Sequence, residues 1–279
     1  VCSYDMGAGI ADYRALCKYL DPQFTLDPKN KEQQDSFLKQ HQKSQENVTR
    51  TLEDQAQVYC LQQVLDAKGP LIQTLKERKF EILHCPSNSP GCAVALDPTC
   101  FDSIQNHSQM TEKGDVAIAI ATHRASHQQM TFASIYASRC TLEGVVDALD
   151  AAHGDSYCSD VVELFSQIPS APFQFIGASM NANPEKWNPR FHLFEEKGFT
   201  TLRTNKMTNV MPQSPTYKER EIDFIFTRTS PQKKSHSNLP SPFQATLFPV
   251  SVLNLDPACN ASNHLPLIAT ISIPKKLFG

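Results

Sequence analysis

The sequence predicts an α/β sandwich in which two β-sheets pack face to face with helices on the outside. Three observations predict it: compact apolar runs of strand length recur along the chain, helix-period segments are few, and polar or Pro- and Gly-marked connections separate them. At 279 residues the chain exceeds the usual domain size. Sandwiches of this length are routinely one unit, so a single domain over 1–279 with long loops is expected.

Val1 to Met6 reads as a short strand and Ile10 to Leu20 as a helix with apolar residues at helical spacing. Residues 27–57 are dominated by Gln, Lys, Glu, Asp and Asn, which predicts a solvated pair of surface helices outside the core. Val58 to Val64 is a buried strand, and Lys68-Gly69-Pro70 breaks the chain before an amphipathic helix over Leu71 to Glu77. Strands follow at Phe80 to Cys85, Cys92 to Leu96, Val116 to Thr122 and Met130 to Ser138, the last two joined by a polar connection of hairpin length. Helical spacing returns over Leu142 to His153 and Asp160 to Gln167, ended by Pro169 and Pro172. Phe173 to Ile176 is the next strand, Trp187 to Lys197 a helix closed by Gly198, and Ile222 to Thr227 another strand. Ser, Pro, Lys and Asn over 229–242 predict an exposed loop before final strands in Phe243 to Leu253 and Leu265 to Ile273.

Composition narrows the function. Hydrophobic residues at 40% and charged residues at 20% are ordinary globular values and exclude a wholly disordered or fibrous chain. The formal charge of −3, with basic residues scattered apart from Lys233-Lys234, does not favour nucleic acid as a partner. No run of about 18 apolar residues is present, so a soluble chain without a membrane span is expected. Val1 is not an initiator Met, which fits removal of an upstream segment. Nine Cys, without a Cys-x-x-Cys pair and often inside apolar runs, read as buried thiols of a reducing compartment such as the cytoplasm. The sequons at Asn47, Asn106 and Asn260 are expected by chance in a chain rich in Asn and Ser.

Four segments, in order along the chain, carry a resemblance. They are Gln57-Val58-Tyr59-Cys60-Leu61-Gln62-Gln63-Val64, Phe175-Ile176-Gly177-Ala178-Ser179-Met180-Asn181-Ala182, Arg220-Glu221-Ile222-Asp223-Phe224-Ile225 and Ser262-Asn263-His264-Leu265-Pro266. They resemble the Asp-Ile-x-x-Leu-Gln-Glu-Val, Gly-Asp-Phe-Asn, Arg-x-x-Asp-Tyr-Ile and Ser-Asp-His-x-Pro segments of the endonuclease/exonuclease/phosphatase superfamily, whose members include deadenylases, DNase I-like nucleases and phosphoinositide phosphatases. The resemblance implies a four-layer α/β/β/α sandwich of two packed mixed sheets. It also implies a site for divalent-metal phosphoester hydrolysis. Such chemistry needs carboxylates to hold Mg²⁺ or Mn²⁺, a group to orient and deprotonate water, and donors to the phosphoryl oxygens.

Carried over position by position, the site departs from that pattern. Gln63 stands where the family's metal-binding Glu would be, Ser179 in place of the Asp that acts on the nucleophile, and Asn263 in place of the Asp beside the final His. An earlier family His falls near Ser138, beside Arg139, while the opening strand has Asp5 where an Asn is expected. Asn181, Asp223 and His264 survive. An amide has a carbonyl oxygen but no charge, so metal affinity should collapse at Gln63. A serine hydroxyl is no base near neutral pH, so Ser179 forfeits about 10²- to 10⁴-fold in rate. Asn263 can orient His264 but cannot stabilise an imidazolium as a carboxylate does. Asp5 opposes this trend, since with Asp223 it places two carboxylates at one cleft that would hold Mg²⁺ weakly.

Two functions follow from the resemblance and its departures. One is a non-catalytic platform for a phosphorylated ligand or a protein, without a cofactor. The other is a Mg²⁺- or Mn²⁺-dependent phosphodiesterase or phosphatase with a site rearranged around Asp5, Asp223 and His264. A deliberately inactivated variant is disfavoured, because one substitution silences a site and Ser138 and Ser179 are not customary choices. His123 and His127, spaced for chelation on a helix, fall in a hairpin connection without an acidic or Cys partner nearby. No local motif supports a Cys-His nucleophile.

Overall fold

The computed structural model describes residues 1–6, 10–64, 69–84, 91–137, 148–182, 189–204, 206, 208–210, 219–229, 246–247, 251–252, 262 and 264–272. Its first half runs β1 (Cys2–Asp5), α1 (Ile10–Leu20), α2 (Lys31–Leu52), β2 (Val58–Val64), α3 (Pro70–Glu77), β3 (Glu81–His84), β4 (Gly91–Leu96), β5 (Phe101–Asn106), β6 (Gln109–Thr111), β7 (Gly114–His123) and β8 (Gln128–Tyr136). Then come α4 (Ala148–Gln167), β9 (Phe173–Ser179), α5 (Pro189–Glu196), β10 (Thr200–Leu202), β11 (Asn209–Val210), β12 (Glu219–Arg220) and β13 (Asp223–Thr229). Four two-residue strands close the chain: β14 (Thr246–Leu247), β15 (Ser251–Val252), β16 (Leu267–Ile268) and β17 (Ile271–Ser272).

One sheet has the order β15-β16-β1-β2-β4-β3 and the other β10-β13-β9-β8-β7-β5, with β6 on β7. Each is mixed, because a single parallel pair, β1 with β2 or β8 with β9, lies among antiparallel neighbours. In the first sheet β1 is central, held between β2 and β16, with Cys2 opposite both Tyr59 and Ile268.

Period-two alternation sorts the side chains into layers. Between the sheets lie Val58, Cys60, Val94, Leu96, Ala117, Ala119, Ala121, Phe132 and Phe175. The outer face of the first sheet packs Tyr59, Leu61, Ala93 and Ala95 against Val48 and Leu52 of α2 and Leu71, Ile72 and Leu75 of α3. On the second sheet Ile118, Ile135, Ile176, Phe224 and Phe226 meet Val161 and Phe165 of α4 and Phe191 and Phe194 of α5. The result is the expected α/β/β/α sandwich. The sheets approach closely at Gly177, where a Cβ would sit 2.4 Å from the Cys60 Cβ and 2.7 Å from the Ser3 Oγ.

Several expectations are corrected. The polar stretch 27–57 forms one long helix and not a pair, capped by the Asn30 side chain accepting from the Gln33 amide, and it contributes Phe37, Val48 and Leu52 to the interior. Its buried stripe steps through Phe37, His41, Ser44, Val48 and Leu52, three or four residues apart, so few apolar side chains were enough to dock it. The segment over 142–167 is expected as two helices, yet α4 runs unbroken through Gly154 from Ala148. β5, β6 and β10 to β12 are strands that the sequence pattern missed. In β5 the alternation is interrupted by a register shift around Ser103, which has φ 50°. Thr229 ends β13, and 230–242 of the expected loop lies outside the described residues. The strand expected over Leu265 to Ile273 divides into β16 and β17.

Candidate functional site

The site lies at one end of the sandwich, where β1, β2 and β9 finish and β13 begins. Asp5 is the last residue of β1 and pairs with Gln62 of β2; Ser179 ends β9 directly opposite Asp223, the first residue of β13. Residues facing each other across an antiparallel pair share a face, so register alone brings Ser179 and Asp223 together. His264 arrives from the C-terminal segment, which is tied down when the Leu265 amide donates to the Thr208 carbonyl at 2.7 Å. The Thr208 hydroxyl also accepts from the amides of Ile222 and Asp223, at 2.9 and 3.1 Å.

Asp5, Asp223 and His264 are buried, and one ligand atom from each lies within 4.8 Å of the others. The His264 Nδ1 is 3.0 Å from both Asp223 carboxylate oxygens and 3.6 Å from Asp5 Oδ2. Bonding to an ionised carboxylate requires a proton on Nδ1, which fixes that edge of the ring as the donor. On the other side the Gln63 Nε2 donates to Asp5 Oδ2 at 3.0 Å. Gln63 reaches it through a left-handed backbone, φ 52°, at a register shift between β2 and β4. Asn181 is left-handed as well, φ 48°, and its Nδ2 donates to the Ala137 carbonyl at 2.9 Å, with the Ser179 Oγ 3.4 Å away. Non-glycine residues in this region are uncommon, Asn being among the most tolerant, and they concentrate at functional sites.

Of the residues singled out from sequence, then, Asp5, Gln63, Ser179, Asn181, Asp223 and His264 occupy one end of the fold. Asn263, Ser138 and Arg139 lie outside the described residues. Among the described residues His123 and His127 join no metal-ligand group: the His123 Nδ1 pairs with the Ser126 hydroxyl at 2.9 Å, and His127 has a left-handed backbone, φ 54°. Among the described residues Cys2, Cys60, Cys92 and Cys158 are buried free thiols, as expected. Burial pushes Cys2, Cys60 and Cys158 up to about 12, so they are poor nucleophiles near neutral pH.

Arg190 was missed by sequence reasoning. Its side chain is fully buried, its Nε 2.8 Å from Asp155 Oδ1 of α4 and its Nη1 donating to the Met180 carbonyl at 2.6 Å. The signal that would have found it is the Gly154-Asp155 pair within an otherwise amphipathic helix, followed by an arginine at the start of the next helix.

The donor set fits a hard dication poorly. Such ions take oxygen ligands and favour carboxylates, but Asp223 is engaged by His264, and Asp5 receives the N–H of Gln63 where a metal-binding site would present an oxygen. Gln63 and Ser179 bring no negative charge.

The fold is an α/β/β/α sandwich of the kind found in solved endonuclease/exonuclease/phosphatase structures. Among solved structures, the chain is similar to D. rerio TDP2 complexed with a single-strand DNA product, at 13% identity and TM-score 0.60, with 97% of each chain covered. An endonuclease/exonuclease/phosphatase from Bacteroides vulgatus superposes with TM-score 0.61 at 12% identity over 86% of this chain and 94% of its own. The Bacteroides thetaiotaomicron mannosyl-6-phosphatase follows at TM-score 0.57 and 12% identity, over 89% and 96%. No protein-family model matches the chain, and no curated protein matches it by sequence. The likeness is one of fold, as the four motifs led one to expect. No helix among the described residues is long and apolar enough to cross a membrane.

Proposed function

We propose that the chain is a non-catalytic member of this fold, a rigid platform that binds a phosphorylated ligand or a protein at the end where Asp5, Asp223 and His264 converge and Asn181 follows β9. One observation carries this reading: the Gln63 amide donates to Asp5 Oδ2 at 3.0 Å, so a neutral hydrogen bond satisfies the carboxylate that a cation would otherwise need. With Asp223 holding the Nδ1 proton, His264 donates to a phosphoryl oxygen through Nε2 when the ring is protonated on both nitrogens. Asp5 and Asp223 repel a dianion, so the phosphate contributes orientation and the rest of the ligand supplies affinity. Single-stranded DNA belongs in the test because D. rerio TDP2 was solved with such a product, although a net charge of −3 argues for weak, salt-sensitive binding.

A second reading is favoured by the convergence of Asp5, Asp223 and His264 within 4.8 Å. It makes the chain a Mg²⁺- or Mn²⁺-dependent phosphodiesterase or phosphatase, with Asp5 and Asp223 holding the ion together with substrate oxygens. Calorimetry with Mg²⁺ and Mn²⁺, paired with turnover of mono- and diester substrates, separates the two. The platform reading expects no micromolar metal site and no turnover. Micromolar binding that Asp5→Ala abolishes, accompanied by hydrolysis, would establish the second reading instead.

A further inference from the structure

Asn181 has two constraints of opposite kind. Its side chain is fixed from the second sheet, by donation to the Ala137 carbonyl at 2.9 Å. Its backbone is held in the left-handed region, φ 48°, and the peptide plane leading into it carries the Met180 carbonyl. That carbonyl accepts from Arg190 Nη1 at 2.6 Å. Turning this peptide plane changes ψ of Met180 and φ of Asn181 together, so a grip on the Met180 oxygen bears on how Asn181 leaves β9.

Arg190 is built for that grip. It is 0% exposed, and its Nε is anchored to Asp155 at 2.8 Å. Its guanidinium lies against Gly154, where a Cβ would come 2.0 Å from Nη2 and 2.6 Å from Cζ. A glycine inside α4 thus makes room for the arginine, the next residue anchors it, and its planar fork reaches the strand end. A guanidinium suits this task because its donors are fixed in one plane and it stays charged when buried. A buried guanidinium is costly unless it is paired and hydrogen-bonded, and the Met180 carbonyl takes one of its N–H groups beside the Asp155 carboxylate.

We propose that Arg190 is a positioning residue: seated in the gap at Gly154, it holds the Met180–Asn181 peptide plane and thereby keeps Asn181 left-handed at the end of β9, beside Ser179. The proposal does not depend on whether the site hydrolyses, binds or ignores phosphoesters.

The test compares Arg190→Met and Gly154→Ala with a control of similar thermal destabilisation, Leu164→Ala on the same helix. The readout is the set of ¹³C and ¹⁵N backbone and side-chain shifts of Asn181, assigned by their loss in Asn181→Ala. Arg190→Met and Gly154→Ala are expected to remove the left-handed signature and to raise amide exchange at Asn181 at least about tenfold, while Leu164→Ala leaves both unchanged. Should Arg190→Met fail to fold, Gly154→Ala decides alone, because it displaces the guanidinium without removing its charge. Unchanged Asn181 shifts in a folded variant, or the same change in the control, would overturn the proposal. Metal binding or turnover by the wild-type chain bears on the platform reading and leaves this test untouched.

Discussion

Gln62 and Gln63 are neighbours with the same side chain and opposite circumstances. Gln62 points between the sheets, where its Nε2 lies 2.9 Å from the Ser134 Oγ, 3.1 Å from the Gly177 carbonyl and 3.0 Å from the Cys60 carbonyl. Ser134 in turn donates to the Leu61 carbonyl at 2.7 Å. One residue later the chain bulges, and Gln63 leaves this closed network to donate to Asp5 at the strand ends. The contrast shows that the middle of the sandwich is held by neutral groups that satisfy one another, whereas the end depends on which residues carry charge. Substitutions at the rim can therefore erase a chemistry without loosening the scaffold beneath it.

The largest expected effect tests the charge side of that contrast. Returning the family's residues together, with Asp5→Asn, Gln63→Glu, Ser179→Asp and Asn263→Asp, is expected to raise Mg²⁺-dependent phosphoester hydrolysis by about 10²-fold or more, the span of a restored general base. Rates at background would show that the rim lacks more than charge. Next comes the middle of the sandwich. Gly177→Ala forces a methyl to within 2.4 Å of the Cys60 Cβ, and denaturant unfolding should register a loss of about 3 kcal/mol. Gln62→Leu leaves the Gly177 and Cys60 carbonyls without its amide, a loss of about 2 kcal/mol by the same measurement. At the rim, Gln63→Gly should change stability by less than about 1 kcal/mol, since relief of the left-handed backbone offsets the lost bond to Asp5. An equal cost at positions 62 and 63 would erase the distinction.

The smallest effect concerns pH. Burial lowers the pKa of His123 below its ordinary value of 6.5. The folded state therefore stays neutral while the unfolded chain takes up a proton. Stability at this residue is complete above about pH 6.5, falls as pH drops through the window down to the folded value, and is level below it. A ring titration by NMR with its midpoint below that of an exposed histidine checks the sign, and a midpoint above it would reverse the argument.

Much of this was legible in the sequence where a local pattern and its burial coincide. The apolar runs at 58–64, 116–122 and 173–176 are strands because both of their faces are covered. The edge strands β5 and β6, both paired to β7, were hidden, since polar residues face solvent there and the bulge at Ser103 breaks the period. The two helices expected over 142–153 and 160–167 are joined in another way: α4 runs through the gap between them, and an arginine from α5 fills the space beside Gly154. At the site, three of the four motifs fall on or beside β2, β9 and β13, and the fourth on the segment before β16. What they did not convey was direction: that Gln63 donates to Asp5, that Asp223 faces His264, and that Asn181 is held from behind by Arg190. Those relations depend on backbone turns at single residues, which residue spacing does not encode.

The seating of β1 between β2 and β16 has a further consequence for how the molecule comes into being. Cys2, near the beginning of these 279 residues, pairs with Ile268, near their end. A ribosome therefore releases the strand bearing Asp5 long before the segment bearing His264 exists. Loop closure over such a span is slow, so the contact that brings Asp5 to His264 is among the costlier ones for the folding chain to make.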